Sequence, residues 1–65
     1  MTFLFEVIDE ESEICGEEFF VEVENEDDPR AMAWEIAEEN FPNIQFKCYG
    51  RVSESFAEMM GLDTY

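Results

Sequence analysis

There is no histidine in this chain, and only three of its 65 residues are Lys or Arg. The first absence removes the usual zinc-binding sets and the commonest general base. The second leaves no basic patch with which the chain itself could grip nucleic acid or an anionic membrane surface. Two cysteines, Cys15 and Cys48, are too few and too widely spaced for a secreted disulfide framework, and there is no CxxC. They read as reduced thiols, Cys48 in the core and Cys15 near a turn, with a bridge between them as the lesser alternative. Glycine is scarce, at three residues, and proline at two, so there is no glycine-rich phosphate loop, no linker and no low-complexity segment. No apolar run approaches the roughly 18 to 20 residues that span a bilayer. The first residues, Met1-Thr2-Phe3-Leu4-Phe5-Glu6, lack a basic leader. The expectation is a soluble, intracellular protein of one domain, residues 1–65.

Acid is what the chain has in excess. Eighteen Asp and Glu against three Lys and Arg give a formal net charge of −15 at pH 7 and a pI near 4.1. Solubility alone asks for a magnitude of about 2 to 8 in a small domain. A domain of this size buries only about 60 % of the surface of its unfolded chain, so it is marginal before any repulsion is counted. Disorder does not explain the charge, because acidic disordered segments are poor in aromatics. This chain is 46 % hydrophobic, with seven Phe, two Tyr and one Trp. It is expected to fold, and its self-repulsion calls for a reason.

The hydrophobic pattern gives the elements. Thr2 to Asp9 alternates with period two, Phe3, Phe5 and Val7 on one face and Leu4, Glu6 and Ile8 on the other. Glu10 to Gly16 is a turn, and Glu17 to Glu24 is a second strand with Phe19, Val21 and Val23 inward. Asp28-Pro29 has the chemistry of a helix start, an acidic N-cap followed by proline at the first helical position. That helix runs to about Asn40, with Ala33, Ile36, Ala37 and Phe41 as its inner stripe, and Phe41-Pro42-Asn43 ends it. Ile44 to Val52 is a third strand, with Phe46, Cys48 and Val52 inward and Lys47, Tyr49 and Arg51 outward. There Lys47 and Arg51 are placed to offset Glu6 and Glu22. Ser55 to Glu58 fits a capping box for a short C-terminal helical turn that Gly61 stops. The expected fold class is α+β: a β-β-α-β chain forming a three-stranded antiparallel sheet of order 2-1-3, with one helix packed on one face. The outer face, carrying Leu4, Ile8, Phe20 and Tyr49, then needs either a cover from the C-terminal segment or a partner.

Placed on that frame, the acids fall into two groups. Glu10, Glu11, Glu13, Glu17 and Glu18 crowd the hairpin tip, and Glu24, Glu26, Asp27 and Asp28 crowd the other end of strand two. Outward-facing Glu22 joins them into one flank. These ten residues are the candidate partner-binding set. A calcium loop starting at Asp9 fails, because its sixth position is Ile14 where glycine is required and its twelfth is Phe20 where Glu is required. No catalytic residue, metal ligand or cofactor is assigned, and an enzyme is not expected. Two readings of the acids remain. In one, carboxylates stand where phosphates stand, so that the chain occupies a basic nucleic-acid-binding groove on another protein. In the other, the acids are a solvated face and the chain is a small interaction module working through Leu4, Ile8, Phe20 and Tyr49.

A short, strongly acidic, Phe-rich chain with this element order and no catalytic motif resembles the inhibitors that bacteriophages and mobile elements carry against host defence. It is most similar to the acidic anti-CRISPR proteins, including those directed at type I systems such as type I-C, and to the anti-restriction DNA mimics. The resemblance covers the whole chain in size, charge and element order and rests on no residue motif, so no functional residue carries over from it. It implies a mechanism and a place: binding to the DNA-binding or PAM-reading surface of a Cas surveillance complex, in the cytoplasm of a bacterial host. The implied partner is a basic protein surface and not nucleic acid or membrane, with a monomer favoured over a dimer.

Overall fold

Alternation along Thr2-Phe3-Leu4-Phe5-Glu6-Val7 gives a strand two usable faces. In the computed structural model, which describes residues 1–24 and 27–65, this segment is β1 (Thr2–Val7), the middle strand of three. β2 (Glu18–Glu22) and β3 (Phe46–Val52) flank it, both antiparallel, in the order β2-β1-β3. Between them comes α1 (Pro29–Asn40), and α2 (Glu54–Met60) follows β3. The α+β architecture read from the sequence is the one observed.

Both faces of β1 are covered, which is why its burial is almost continuous. On the first face Phe3, Phe5 and Val7 meet Phe19 and Val21 from β2, Val23 just beyond it, Phe46 from β3, and Ala33 and Ala37 from α1. The two alanines, one turn apart, let the helix backbone approach the sheet, and rings from the sheet fill the space they leave. Phe5 stacks on Phe19 with centroids 5.5 Å apart. The edge of Trp34 meets Phe5 at 5.1 Å, and Phe41 lies 4.9 Å from Phe19. Each such pair adds about 0.5–1.5 kcal/mol beyond its buried area. Asp28 caps α1, its carboxylate accepting the Ala31 N–H at 3.2 Å, with Pro29 in the first turn as expected.

The second face carries Leu4 and Phe20, and α2 lies over it. Phe20 is fully buried, with the Phe56 ring 6.4 Å away and edge-on. Covering by the C-terminal segment, one of the two expected solutions, is therefore the one used for this half of the face. The helix begins earlier than the capping-box pattern predicts: the Ser53 hydroxyl, not Ser55, accepts the Phe56 N–H at 3.1 Å. β3 ends at Val52 and leaves Ser53 extended, which puts Ser55 inside the first turn. Gly61, left-handed at φ +64°, ends the helix as expected.

All three strands are shorter than their hydrophobic alternation predicts, and at the end of β1 a carboxylate is the cause. Asp9 leaves β1 and accepts the N–H groups of Glu11 at 3.1 Å and Gln45 at 3.4 Å. β3 also departs from simple alternation. Leu4 pairs with Gly50 and Phe5 with Cys48, so Tyr49 is the extra residue of a β-bulge. The added residue inverts the phase beyond it. Arg51 stands opposite Phe3 and Val52 opposite Thr2, the reverse of the expected inward Val52 and outward Arg51. Gly50 makes the bulge possible with φ +105°, a conformation that side chains rarely adopt. Replacing it, Gly50→Ala, is expected to cost about 1–3 kcal/mol of stability in urea unfolding.

The outer edge of β2 is occupied by the C-terminal residues. Phe20 N–H donates to the Asp63 carbonyl at 2.8 Å, Tyr65 N–H to the Phe20 carbonyl at 2.9 Å, and Glu22 N–H to the Tyr65 carbonyl at 2.8 Å. The pairing is parallel, with Thr64 beside Phe20. The Tyr65 ring then turns round the edge to the α1 side, 5.6 Å from Phe19 and 5.3 Å from Phe41. Removing residues 63–65 would uncover a row of strand N–H and C=O groups. The shortened chain is expected to melt lower and to elute as higher oligomers in size-exclusion chromatography, where the full chain elutes as one smaller species.

Candidate protein-interaction surface

The hairpin tip is an ordered loop, and its order fixes where the acids stand. Ser12 N–H donates to the Asp9 carbonyl at 3.0 Å, Cys15 N–H to the Ser12 carbonyl at 3.2 Å and Glu17 N–H to the Ile14 carbonyl at 3.0 Å. The Ser12 hydroxyl accepts the Ile14 N–H at 3.2 Å. Gly16, at φ +92°, donates to the Val7 carbonyl and closes the loop, while Ile14 packs against the core and anchors it. Glu10, Glu11, Glu13 and Glu17 all project from this loop into solvent, and Glu18 follows at the start of β2.

Glu22 is exposed at the far end of β2, about 13 Å from Glu18 at the ordinary strand rise. Glu24 and Asp27 are exposed beyond it. Glu26 lies outside the described residues. Asp28 belongs to the candidate set by sequence, but its carboxylate is committed to the cap of α1. The second group is thus thinner than its sequence implies. Sequence reasoning missed two members: Glu54 and Glu58 of α2 share one concavity with Glu22, Thr2 and Thr64. Their spacing of four residues was the available signal, since it places both on one side of a helix.

On the outer sheet face Glu6 stands directly opposite Glu18 on β2 and Lys47 on β3. The bulge delivers Tyr49 to the same place. Its hydroxyl donates to Glu6 Oε1, and the Lys47 ammonium sits 4.7 Å from the centre of its ring. Lys47 thus lies close to Glu6, as expected, but what it covers is an aromatic ring. Tyr49 is 50 % exposed, so the half of this face beyond α2 is open. Ile8, expected on the same face, lies past the end of β1 and lines a concavity with Trp34, Glu38 and Phe46 on the α1 side. The other two cations lie by β3 as well: Arg51 on the strand and Arg30 with its guanidinium beside Gly50. Cys15 is exposed and Cys48 half-buried, both as free thiols.

Among the described residues no three carboxylates or thiols converge on a point where a metal ion could sit, and no helix is long and apolar enough to cross a membrane. No family model, no curated protein and no solved structure matches this chain.

The Tyr49 phenol is held above its ordinary value of 10.0, first by the hydrogen bond to Glu6, then by partial desolvation and by the negative charges of Glu6 and Glu18. The folded state therefore favours the protonated phenol. Its contribution is complete below the unfolded value and is lost as pH climbs from 10.0 through the folded value, because the unfolded chain gives up this proton first. The Tyr49→Phe variant is expected to be less stable than the parent at neutral pH and to converge with it as pH passes 10.0, measured by urea midpoints along a pH series.

Proposed function

We propose that this chain is a non-enzymatic inhibitor of a bacterial defence system that offers carboxylates in place of DNA phosphates to a basic, DNA-binding protein surface. The observation that carries this is the density of charge on a body of fixed shape. The long axis is 33 Å, close to the ~34 Å of one duplex turn. A net charge of −15 over that length is about one charge per 2.2 Å, against one per ~1.7 Å for duplex DNA. The hairpin loop and β2 hold Glu10, Glu11, Glu13, Glu17, Glu18 and Glu22 outward on ordered backbone, so the lattice of a basic groove meets charges that do not have to be ordered first.

Within this reading the target is a Cas surveillance complex in a bacterial cytoplasm, the chain acts as a monomer, and target DNA competes for the same lysines and arginines. A restriction enzyme offers a similar groove and makes the same mechanism anti-restriction. The rival reading, an interaction module working through the apolar outer face, is weakened by α2, because Leu4 and Phe20 lie beneath it.

The test is capture of partners from lysates of bacteria expressing CRISPR effectors, washed at rising salt and with excess target duplex. Retention of a DNA-binding protein at low salt, with release by duplex, is the expected outcome. Reversing Glu10, Glu11 and Glu13 together to Lys should weaken capture by about 10-fold or more, while each single reversal does far less, since the field is shared. The same triple variant should melt higher than the parent, having less self-repulsion. Capture that survives high salt and excess duplex, or is indifferent to the triple reversal, removes the mimic reading.

A further inference from the structure

The half of the outer sheet face that α2 leaves open combines an anchored aromatic ring with carboxylates. Glu6 and Glu18 are directly opposite each other on β1 and β2. The hydrogen bonds on that side of β1 are made by Val7 with Glu17 and Gly16. That makes Glu6 and Glu18 the closer kind of antiparallel pair, with Cα atoms about 4.5 Å apart. Like charges so placed are unfavourable in the free chain, and a cation brought between them relieves the cost. Tyr49 stands beside them with half of its surface in solvent, its hydroxyl tied to Glu6. The chain's own Lys47 ammonium already sits over that ring. The ring thus already carries a cation of the chain's own, and the site is built on paired strands and a glycine-dependent bulge.

We propose that this open half-face is where a basic protein partner docks, with Tyr49 as the anchor for one of the partner's arginines. The inference rests on the reading of the chain as an acidic decoy and adds a point of specificity to it. Arginine fits better than lysine because its planar guanidinium can lie on the ring while its N–H fork reaches the Glu6 and Glu18 carboxylates. A lysine, like Lys47, offers a single hydrated point charge. Tyrosine and arginine are also the residues that most often carry binding energy at the centre of an interface. Because the ring is held by Glu6 before binding, little rotamer freedom remains to be lost.

The experiment is calorimetric titration of the full chain with two synthetic probes of equal length and charge, an all-arginine and an all-lysine nonapeptide. Arginine peptides bind carboxylates somewhat better on any acidic surface, so the deciding quantity is how the affinity ratio changes with Tyr49. Tyr49→Leu is expected to lower the arginine-to-lysine ratio by about three- to five-fold, whereas Tyr49→Phe, which keeps the ring, leaves most of it. The Glu10, Glu11 and Glu13 reversal should weaken both peptides alike and leave the ratio where it was. In the unaltered chain, the Tyr49 ring proton resonances should shift on adding the arginine peptide, a readout that needs no variant to fold. A ratio unmoved by Tyr49→Leu, or ring resonances that stay in place, overturns the anchor and leaves the decoy reading standing on its field alone. If the unaltered chain binds neither peptide, the decoy reading falls and takes the anchor with it.

Discussion

Fifteen net negative charges push against the compaction of a chain of 65 residues, and the ring cluster around Phe5 and Phe19 is what opposes them. Phe5 touches Phe19, Trp34 and Phe46, and Phe19 touches Phe41, Phe46 and Tyr65. An aromatic side chain buries on the order of 150–250 Å², so a few rings supply apolar burial that a small domain otherwise lacks. Ala33 and Ala37 are the buried residues of the helix, and its larger Trp34 and Ile36 pack at the margin of the cluster. Among the described residues the acids stand where the cluster does not need them: the hairpin loop, the outer sheet face, strand ends and the solvent-facing turns of both helices. Charge and core are thereby separated in space, which is how the same sequence can be strongly acidic and folded.

That separation also divides the carboxylates by task. Asp9 and Asp28 are used by the backbone, one closing the hairpin loop onto Gln45 and the other capping α1. Glu6 is used by Tyr49. Glu10, Glu11, Glu13, Glu17, Glu18 and Glu22 stand in solvent on the hairpin loop and β2, with no such structural task. A short run such as Asp9-Glu10-Glu11 looks uniform in sequence, yet its first member builds the platform on which the next two are displayed.

Local chemistry was readable from the residues wherever the cause was local. Asp28-Pro29 announces a helix start because both the cap and the fixed φ act within one turn. The alternation of Phe3, Phe5 and Val7 announces a strand because its period is two. Features that depend on a distant partner were not readable. The bulge at Tyr49 adds one residue opposite Leu4 and leaves no mark on β3 except Gly50, so the alternation was carried straight through to Val52 and came out inverted. Leu62-Asp63-Thr64-Tyr65 has no strand pattern of its own, and its pairing with β2, a bridge at Thr64, depends on the free edge that β2 offers. Ser53 and Ser55 are equally good caps by residue type, and where β3 stops decides between them.

The bulge in turn shapes the electrostatics of the whole molecule. With regular alternation Arg51 would share the outer face with Lys47 and lower its negative charge further. The extra residue sends Arg51 to the register of Phe3, and Arg30 approaches the same strand at Gly50. The outer face keeps Glu6, Glu18 and Glu22 with Lys47 as the one cation of the three in their register. The chain therefore has a direction: a flank running from the hairpin tip along β2 that is strongly negative, and a β3 side where its few cations gather. A field with such a gradient orients as well as attracts. In the proposed complex the hairpin loop, β2 and the adjoining Tyr49 face the basic surface, and the Arg30 and Arg51 end of β3 is turned away from it.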